Sequence, residues 1–344
     1  MPVVERTVVV DGTPTLVLAR PLDLAQLQRW YDHAFDVFAF KGTVVRDEFV
    51  EHFELDPSAS HMDIIVAVVP SKGGQIASSL RIFRRKMWLR GELVTVGGIG
   101  EVSTKKAYEG CGLARIVINV ALERMRASGI EVSLLHTTTA AYLYPKLGWA
   151  PFAIYRQHVA YPVAAAPSSS VQIFSFDDDK VLGELAALHA AYVKRHTGLF
   201  DRADDFEYWR KWVRNEATPN GHNRQPRCFV STGSGGVVVA YMIVQLSSKK
   251  DDHSTDEPLK LCVREAVWAD SGDGAAGALD LIIAYAVAHF AATHANNGTA
   301  VVTMSPLLSS VVQHVAGPKT EDADRGYMVS VFGEFFFFFQ LQCK

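Results

Sequence analysis

The residues best suited to chemistry form a glycine-rich turn between an apolar strand and a helix. Its sequence is Gly97-Gly-Ile-Gly-Glu-Val-Ser-Thr-Lys-Lys-Ala-Tyr-Glu-Gly-Cys-Gly-Leu-Ala114. The free N–H groups and the positive dipole end of a helix N-terminus attract a pyrophosphate. Gly110 and Gly112 permit positive φ and let the backbone approach phosphates closely. The turn therefore indicates a phosphate-bearing ligand, although an ordinary strand–turn–helix connection explains two glycines equally well.

The turn differs from two common nucleotide-binding motifs. No Gly-Lys-Ser/Thr follows the glycines, which excludes a P-loop. The GxGxxG spacing and its βαβ context are also missing, which excludes a dinucleotide-binding fingerprint.

A second chemical candidate is Tyr144, in the segment Tyr142-Leu-Tyr-Pro-Lys-Leu-Gly-Trp-Ala-Pro-Phe152. A phenol has a pKa of about 10 and an alkyl thiol about 8.5, so proton transfer to a departing thiolate is chemically reasonable. Taken alone, Tyr144 is more simply explained as a half-buried aromatic side chain that braces a helix.

These two segments, in this order, resemble the GNAT superfamily of acetyl-CoA-dependent N-acetyltransferases. The run 110–114 matches the glycine part of the family's signature, a basic residue or Gln followed by xxGxG/A. The family's basic positions fall on Ala107 and Glu109, and Lys105 and Lys106 are near enough to supply positive charge. The resemblance implies that acetyl-CoA, the cosubstrate, contacts Val102, Ser103, Thr104, Glu109, Gly110, Cys111, Gly112, Leu113, Ala114 and Thr138.

The resemblance also implies direct acetyl transfer through a tetrahedral intermediate. Main-chain groups of the strand at 102–104 would bind the pantetheine arm, and one N–H would stabilise the oxyanion. Tyr144 would protonate the leaving thiolate of coenzyme A. Glu101 is our first candidate for the base, with a solvated strand carboxylate as the alternative. The C-terminal carboxylate of Lys344 is a second candidate, because that group can enter the active site in Eis-like enzymes.

Two longer segments, 76–100 and 192–210, are similar to the Eis-like (enhanced intracellular survival) acetyltransferases. Those proteins join an active GNAT domain to a second, coenzyme-free GNAT-like domain and then to a sterol-carrier-like domain. Residues 171–344 suffice for the second unit and little more, so we expect the third domain to be absent or reduced to the tail. The run Phe335–Phe339 is then interpreted as a closing strand buried on both faces.

The periodicity of apolar residues predicts the elements that position these groups. In the first half, strands are expected at 15–20, 62–69, 76–90, 93–104, 131–137 and 150–160, with helices at 22–38, 45–55, 112–128 and 140–147. In the second half, strands are expected at 171–175, 227–232, 237–246, 260–268 and 299–304, with helices at 179–196, 204–216 and 274–295. The recurring order predicts an α+β protein with tandem GNAT folds, each a mixed, mostly antiparallel sheet flanked by helices.

We predict three segments: a catalytic domain at 1–162, a linker at 163–170 and a degenerate GNAT-like domain at 171–344. The linker is a small-residue stretch, Val163-Ala-Ala-Ala-Pro-Ser-Ser-Ser170. In the second domain, Asp270 and Asp273 flank the turn that would hold coenzyme and would repel a pyrophosphate, so we expect no coenzyme site there.

Composition limits the class of protein. Of 344 residues, 49% are hydrophobic and 21% charged, with a formal net charge of -3, which excludes a disordered chain and gives no whole-chain reason to expect nucleic-acid binding. A local basic patch stays open at Arg81, Arg84, Arg85, Lys86 and Arg90. Four cysteines without CxxC spacing favour reduced thiols. With no export signal or membrane span recognised, we expect a cytoplasmic protein.

The sequence thus predicts transfer of the acetyl group of acetyl-CoA to a primary amine. The acceptor is a lysine side chain, a free amino acid, a polyamine or an aminoglycoside-like polyamine; no nucleic acid or membrane partner is expected, and a homo-oligomer is left open. Glu48, His52 and Asp63 are candidates for an amine pocket. Glu48 and His52 also have metal-pair spacing, but no third ligand joins them, so no metal is expected. The alternative, motivated by Ala107 and Glu109, is a non-catalytic acyl-CoA sensor or scaffold.

Overall fold

The computed structural model describes residues 4–10, 12–19, 22–39, 45–137, 142–164, 170–202, 206–217, 226–246, 258–269, 273–293, 298–305, 308 and 319–331. In the first half, these residues form β1 (Val4–Val10), β2 (Thr13–Ala19), α1 (Leu24–Phe38), α2 (Arg46–Glu54), β3 (Ile64–Val69), β4 (Gln75–Leu89), β5 (Glu92–Thr104), α3 (Leu113–Ala127), β6 (Val132–His136) and β7 (Ala150–Pro162). The predicted elements are present to within a few residues, except that the helix at 140–147 is a short 3-10 turn, Tyr144–Leu147. The sequence pattern does not predict β1, an edge strand whose Val9 is exposed.

In the second half, the elements are β8 (Val171–Ile173), α4 (Asp179–Val193), β9 (Leu199–Asp201), α5 (Phe206–Tyr208), α6 (Arg214–Ala217), β10 (Arg227–Thr232), β11 (Val238–Leu246), β12 (Leu259–Trp268), α7 (Asp273–Thr293), β13 (Thr299–Met304) and β14 (Lys319–Val331). A π-helical turn, Trp209–Val213, joins α5 to α6, so the predicted helix at 204–216 is continuous but not regular. The predicted strand at Phe335–Phe339 lies outside the described residues.

The chain divides into two compact units, residues 1–153 with 325–344, and residues 154–324. This division falls inside β7, before the predicted linker, of which residues 165–169 lie outside the described part. The end of the chain belongs to the first unit because Tyr327–Val331 of β14 pair antiparallel with β6 and Met328 packs in its core. Local sequence patterns do not carry such a long-range pairing.

In the first unit, the strand order is β1-β2-β3-β4-β5-β6-β14, and the pairing of β5 with β6 is parallel. Alternate residues of β3 serve two cores, as the period of two in a strand requires. Ile64 and Val66 pack with Trp30 and Phe53 of the α1–α2 layer. Ile65 belongs to the core that α3 covers. The sheet is therefore enclosed by helices on both faces.

The second unit repeats this topology. Its strand order is β7-β13-β12-β11-β10-β8, and β12 pairs parallel with β13. The hairpin β11–β12 corresponds to β4–β5, β13 to β6, and α7 to α3. Both units therefore have the predicted GNAT-type α+β fold.

Gly97 controls how closely α3 approaches β5. A Cβ built on this residue collides with Met125 Sδ and lies 3.3 Å from two methyl groups of Ile130. Met125 and Ile130 are buried, so they have little room to move. We therefore expect Gly97→Ala to destabilise the protein by about 1–3 kcal/mol, as measured by urea unfolding.

Gly98→Ala is the matched control, since its added methyl group meets Phe83 Cβ at 3.4 Å, close to ordinary contact. Equal losses of stability in the two variants would contradict the steric explanation.

Two buried histidines make the fold sensitive to acid. Burial, together with the Lys105 charge, lowers the pKa of His33 to about 4; burial and the Arg202 charge lower that of His189 to about 4. The unfolded chain binds these protons at about pH 6.5, so stability is lost as pH falls from about 6.5 towards 4, on the order of 3 kcal/mol per histidine.

Urea unfolding at pH 7, 5 and 4 measures this loss. We expect the neutral replacements His33→Gln and His189→Gln each to flatten the pH dependence. An unchanged slope in the double variant would rule out these residues as its source.

Candidate active site

The glycine-rich turn has the geometry of an open anion site. Gly110 and Gly112 both have φ of +78°, and a Cβ built on either meets no heavy atom within 4 Å. Gly112 is the N-cap of α3, with no side-chain cap on the first helical N–H groups. The glycines are therefore needed for their backbone conformation, because only glycine adopts it readily, and the side-chain space around them is unoccupied.

The strand that leads into the turn has one open edge. β5 pairs with β6 only through residues 96–98, whereas its pairing with β4 continues to Thr104. Main-chain groups of residues 99–104 that face away from β4 thus have no described strand beside them. An extended chain of amides, such as a pantetheine arm, can add along an edge of this kind.

The side chains of the predicted coenzyme strand point to β4 rather than to a ligand. Ser103 Oγ bonds Ser79 Oγ at 2.9 Å, and Thr104 Oγ1 bonds Ser78 Oγ at 2.8 Å. Val102 is partly buried against the core. These three residues are therefore available to a coenzyme through their backbone.

Lys105 and Lys106 were expected to supply the positive charge that Ala107 and Glu109 do not, and Lys105 is already paired. Lys105 Nζ lies 3.1 Å from Asp36 Oδ2, so it is paired on α1. Lys106 and Glu109 are exposed, and Cys111 is half-buried. Leu113 is buried in the core and Ala114 half-buried, both at the start of α3. Thr138 lies outside the described residues, as does Lys344.

Tyr144 lies in the core beside α3. Its side chain is buried, and its ring meets the Trp149 ring edge-on at 6.0 Å. Burial raises the pKa of the Tyr144 hydroxyl, which keeps it protonated at neutral pH. Tyr144 is thus packed as a buried aromatic side chain, and the same burial preserves the proton that an acid needs.

Glu101 occupies an irregularity of β5. Arg81 pairs with Gly100 and Ser79 with Ser103, so β5 carries one extra residue here. The φ of Glu101 is +54°, a left-handed conformation that costs about 1–2 kcal/mol in a residue other than glycine. Its carboxylate is 8% exposed, and neither oxygen has a hydrogen-bond partner among the described residues. A buried carboxylate without such a partner is rare in folded proteins and indicates a ligand position.

The groups around Glu101 come from three elements. His52 Nδ1 of α2 lies 3.4 Å from Glu101 Oε1. Glu101 also interacts electrostatically with Arg81 on β4 and Tyr31 on α1. Tyr31 Oη and Arg81 Nε are buried and, among the described residues, also lack hydrogen-bond partners. The sequence predicts Glu101 and His52, marks Arg81 only as part of a basic patch and gives no signal for Tyr31. Only the fold brings these four residues together.

Three arginines of the predicted basic patch are paired with carboxylates, one of which is Asp63. Asp56 binds Arg81 at 2.7 Å and Arg85 at 3.0 Å. Asp63 binds Arg84 at 2.7 Å and is therefore a structural partner rather than an open pocket carboxylate. These two carboxylates compensate two of the three arginine charges.

The second unit places a carboxylate at the equivalent position. In the first unit, Gly98 is the last residue of β5 that pairs with β6, and Glu101 lies three residues after it. In the second unit, Cys262 is the last residue of β12 that pairs with β13, and Glu265 lies three residues after it. Arg202 Nη1 and Nη2 bind the two oxygens of Glu265 at 2.9 and 2.8 Å. Tyr241 Oη donates to it at 2.7 Å. The carboxylate that lacks hydrogen-bond partners in the first unit, Glu101, thus corresponds to a fully hydrogen-bonded carboxylate in the second, Glu265.

The charge state of Glu265 follows from these contacts. Burial opposes ionisation of this side chain, but the Arg202 guanidinium and the Tyr241 hydrogen bond lower its pKa to about 2. Glu265 is therefore a permanent anion whose partner is built into the chain.

Three other kinds of feature bear on the chemistry of the chain. Within the described residues, no group of three His, Cys, Asp or Glu residues is arranged to hold a metal ion. Cys111, Cys228 and Cys262 form no disulfide. Among the helices described, none has the length and apolar character needed to cross a membrane.

Comparisons with known proteins agree with this geometry. Residues 19–152 match the family model described as "Acetyltransferase (GNAT) domain". No curated protein matches the sequence significantly. Among solved structures, a GCN5-related N-acetyltransferase from Anabaena variabilis is similar with a TM-score of 0.63 and 15% identity, over 92% of this chain and 72% of that one.

Two further structures extend the likeness. Eis1 from Mycobacterium abscessus has a TM-score of 0.57 at 14% identity, over 92% of this chain and 73% of its own. Saccharomyces cerevisiae N-myristoyltransferase with bound myristoyl-CoA has a TM-score of 0.60 at 10% identity, over 95% of this chain and 85% of its own.

The open β5 edge lies within the matched domain. Residues 19–152 match a GNAT acetyltransferase domain, and the solved structures similar to the chain show the GNAT fold of N-acyltransferases.

Proposed function

We propose that the protein is an acetyl-CoA-dependent N-acetyltransferase of Eis-like organisation that acts on a primary amine. The observation that carries the proposal is the separation of β5 from β6 after Gly98, directly before two left-handed glycines and the uncapped start of α3. The unpaired edge of β5 suits the pantetheine arm of coenzyme A. The helix N-terminus that follows it in the chain suits the pyrophosphate.

In this proposal, the backbone binds the coenzyme. The N–H groups of residues 110–114 contact the pyrophosphate, and those of 102–104 contact the arm. One strand N–H polarises the thioester carbonyl and then stabilises the oxyanion. Glu109 and Thr138 complete the proposed coenzyme contacts, and no metal is required.

Glu101 is the proposed base. A lysine-like amine has a pKa of about 10.4, so only about one molecule in 2,500 is neutral at pH 7. The acceptor therefore arrives as a cation. The Glu101 carboxylate is buried without a hydrogen-bond partner in the described structure, while its counterpart Glu265 binds the cation Arg202. This comparison supports an ammonium group beside Glu101.

The second unit is proposed to be degenerate and without a coenzyme of its own. Arg202 occupies the carboxylate that an acceptor would need there. Cys111, Cys228 and Cys262 form no disulfide, which supports a reducing compartment such as the cytoplasm. The acyl group is proposed to be acetyl, in keeping with the matched domain description.

Calorimetry tests the coenzyme site. We expect Gly112→Ala to weaken acetyl-CoA binding at least tenfold, since alanine disfavours φ of +78° at the helix start. Gly129→Ala, with φ of +69° and an equally open surround at the other end of α3, is the control for strain alone. No binding of acetyl-CoA to the unmodified protein, or equal weakening in both variants, would contradict the site.

Steady-state kinetics over a panel of amines tests the chemistry. We expect Tyr144→Phe and Glu101→Gln each to lower kcat by about 10²- to 10⁴-fold while acetyl-CoA still binds. Full turnover by Tyr144→Phe would remove its role as acid. Coenzyme binding without turnover of any amine by the unmodified protein would favour the acyl-CoA sensor instead.

A further inference from the structure

We propose that His52 carries the acceptor's proton from Glu101 to solvent in each catalytic cycle. This inference rests on the proposed function and adds a residue whose chemistry that function needs. His52 contacts Glu101 through Nδ1 at 3.4 Å, while its side chain is 40% exposed.

The proposed reaction leaves one proton on Glu101 in each turnover. An ammonium group gives one proton to Glu101, and its nitrogen then attacks the thioester carbon. As the C–S bond breaks, Tyr144 protonates the thiolate, and the nitrogen of the intermediate returns a proton to Tyr144. The products are the amide and the free thiol, so Tyr144 is restored and one proton remains on Glu101. That proton must reach water before the next turnover.

The other groups around Glu101 are poor carriers. Arg81 is fully buried and remains protonated, since a guanidinium keeps its proton in proteins. Burial, with the Glu54 charge, raises the pKa of Tyr31 to about 12, so this hydroxyl holds its proton too. Glu101 itself is 8% exposed. Among the described residues around Glu101, His52 is the group with both a basic nitrogen beside the carboxylate and access to solvent.

The backbone holds His52 in place. Arg81 Nη1 donates to the His52 carbonyl oxygen at 2.6 Å, while Arg81 Nη2 binds Asp56. The end of α2 is thereby attached to the sheet at the residue opposite Gly100. The buried Arg81–Asp56 ion pair thus holds His52 beside the irregularity of β5 that carries Glu101.

The second unit also places an imidazole near a carboxylate, but that imidazole has little access to solvent. His189 interacts with Glu265 electrostatically, but it is 3% exposed, and Arg202 occupies the carboxylate. A carboxylate and an imidazole therefore occur in both units, and solvent access distinguishes the first. This contrast agrees with a proton path that only the catalytic unit needs.

Imidazole rescue tests the role in the full chain. We expect His52→Ala to lower kcat by about 10- to 100-fold with little change in the KM for acetyl-CoA, and added imidazole to restore most of it. Glu101→Gln should not respond to imidazole. His61→Ala is the control, because its Nδ1 lies 2.8 Å from the Leu22 carbonyl oxygen, and any loss there should also not respond.

A second measurement is independent of turnover. Nitrogen NMR of His52 is expected to show an Nδ1 that contacts Glu101 and exchanges a proton with it, and a tautomer ratio that changes in Glu101→Gln. Full kcat in His52→Ala, a loss that imidazole does not restore, or a His52 spectrum unchanged by Glu101→Gln would each overturn the relay. An unmodified protein that turns over no amine would overturn the proposed function and the relay together, whereas the NMR result would still report whether the pair exists.

Discussion

The first unit of this protein depends on the unequal pairing of one strand, β5, with its two neighbours. β4 holds β5 along nearly its whole length, but β6 holds it over only residues 96–98. A strand paired on one side offers its remaining N–H and C=O groups to another extended chain. Gly97 allows the last turn of α3, at Met125, to pack closely on the paired segment. The proposed coenzyme groove and the proposed base, Glu101, begin where that pairing ends.

Buried charge is the second organising feature, and the two units use it differently. In the first, Asp56 binds both Arg81 and Arg85, while Glu101 remains without a hydrogen-bond partner in the described structure. In the second, Arg202 binds the carboxylate of Glu265. A buried charge without compensation is unfavourable by several kcal/mol. The carboxylate of Glu265 is compensated within the chain, whereas for Glu101 we propose that the ammonium group of the acceptor supplies the missing charge.

Much of the architecture follows from local patterns. The apolar period of α3 and the glycine that ends it predict this helix, and the Asp178 cap marks the start of α4. The segments around Gly110 and Tyr144 predict the superfamily, which the domain match over residues 19–152 confirms. The edge strand β1 and the return of β14 to the first unit do not follow from the sequence, because an exposed edge lacks a marked apolar face and a distant pairing leaves no local signal.

For the site, the sequence by itself determined which residues could do chemistry: the glycine turn, Tyr144, Glu101 and His52. Only the tertiary structure decided which of the candidate charged groups are already paired within the protein and which are not. Asp63 and Lys105 are paired, whereas Glu101 is buried on an irregular strand beside His52. The physical reason is that the availability of a charged group depends on the charges brought near it by folding. Those neighbours, here Asp36, Arg84 and Arg81, come from other strands and helices and are not neighbours in the chain.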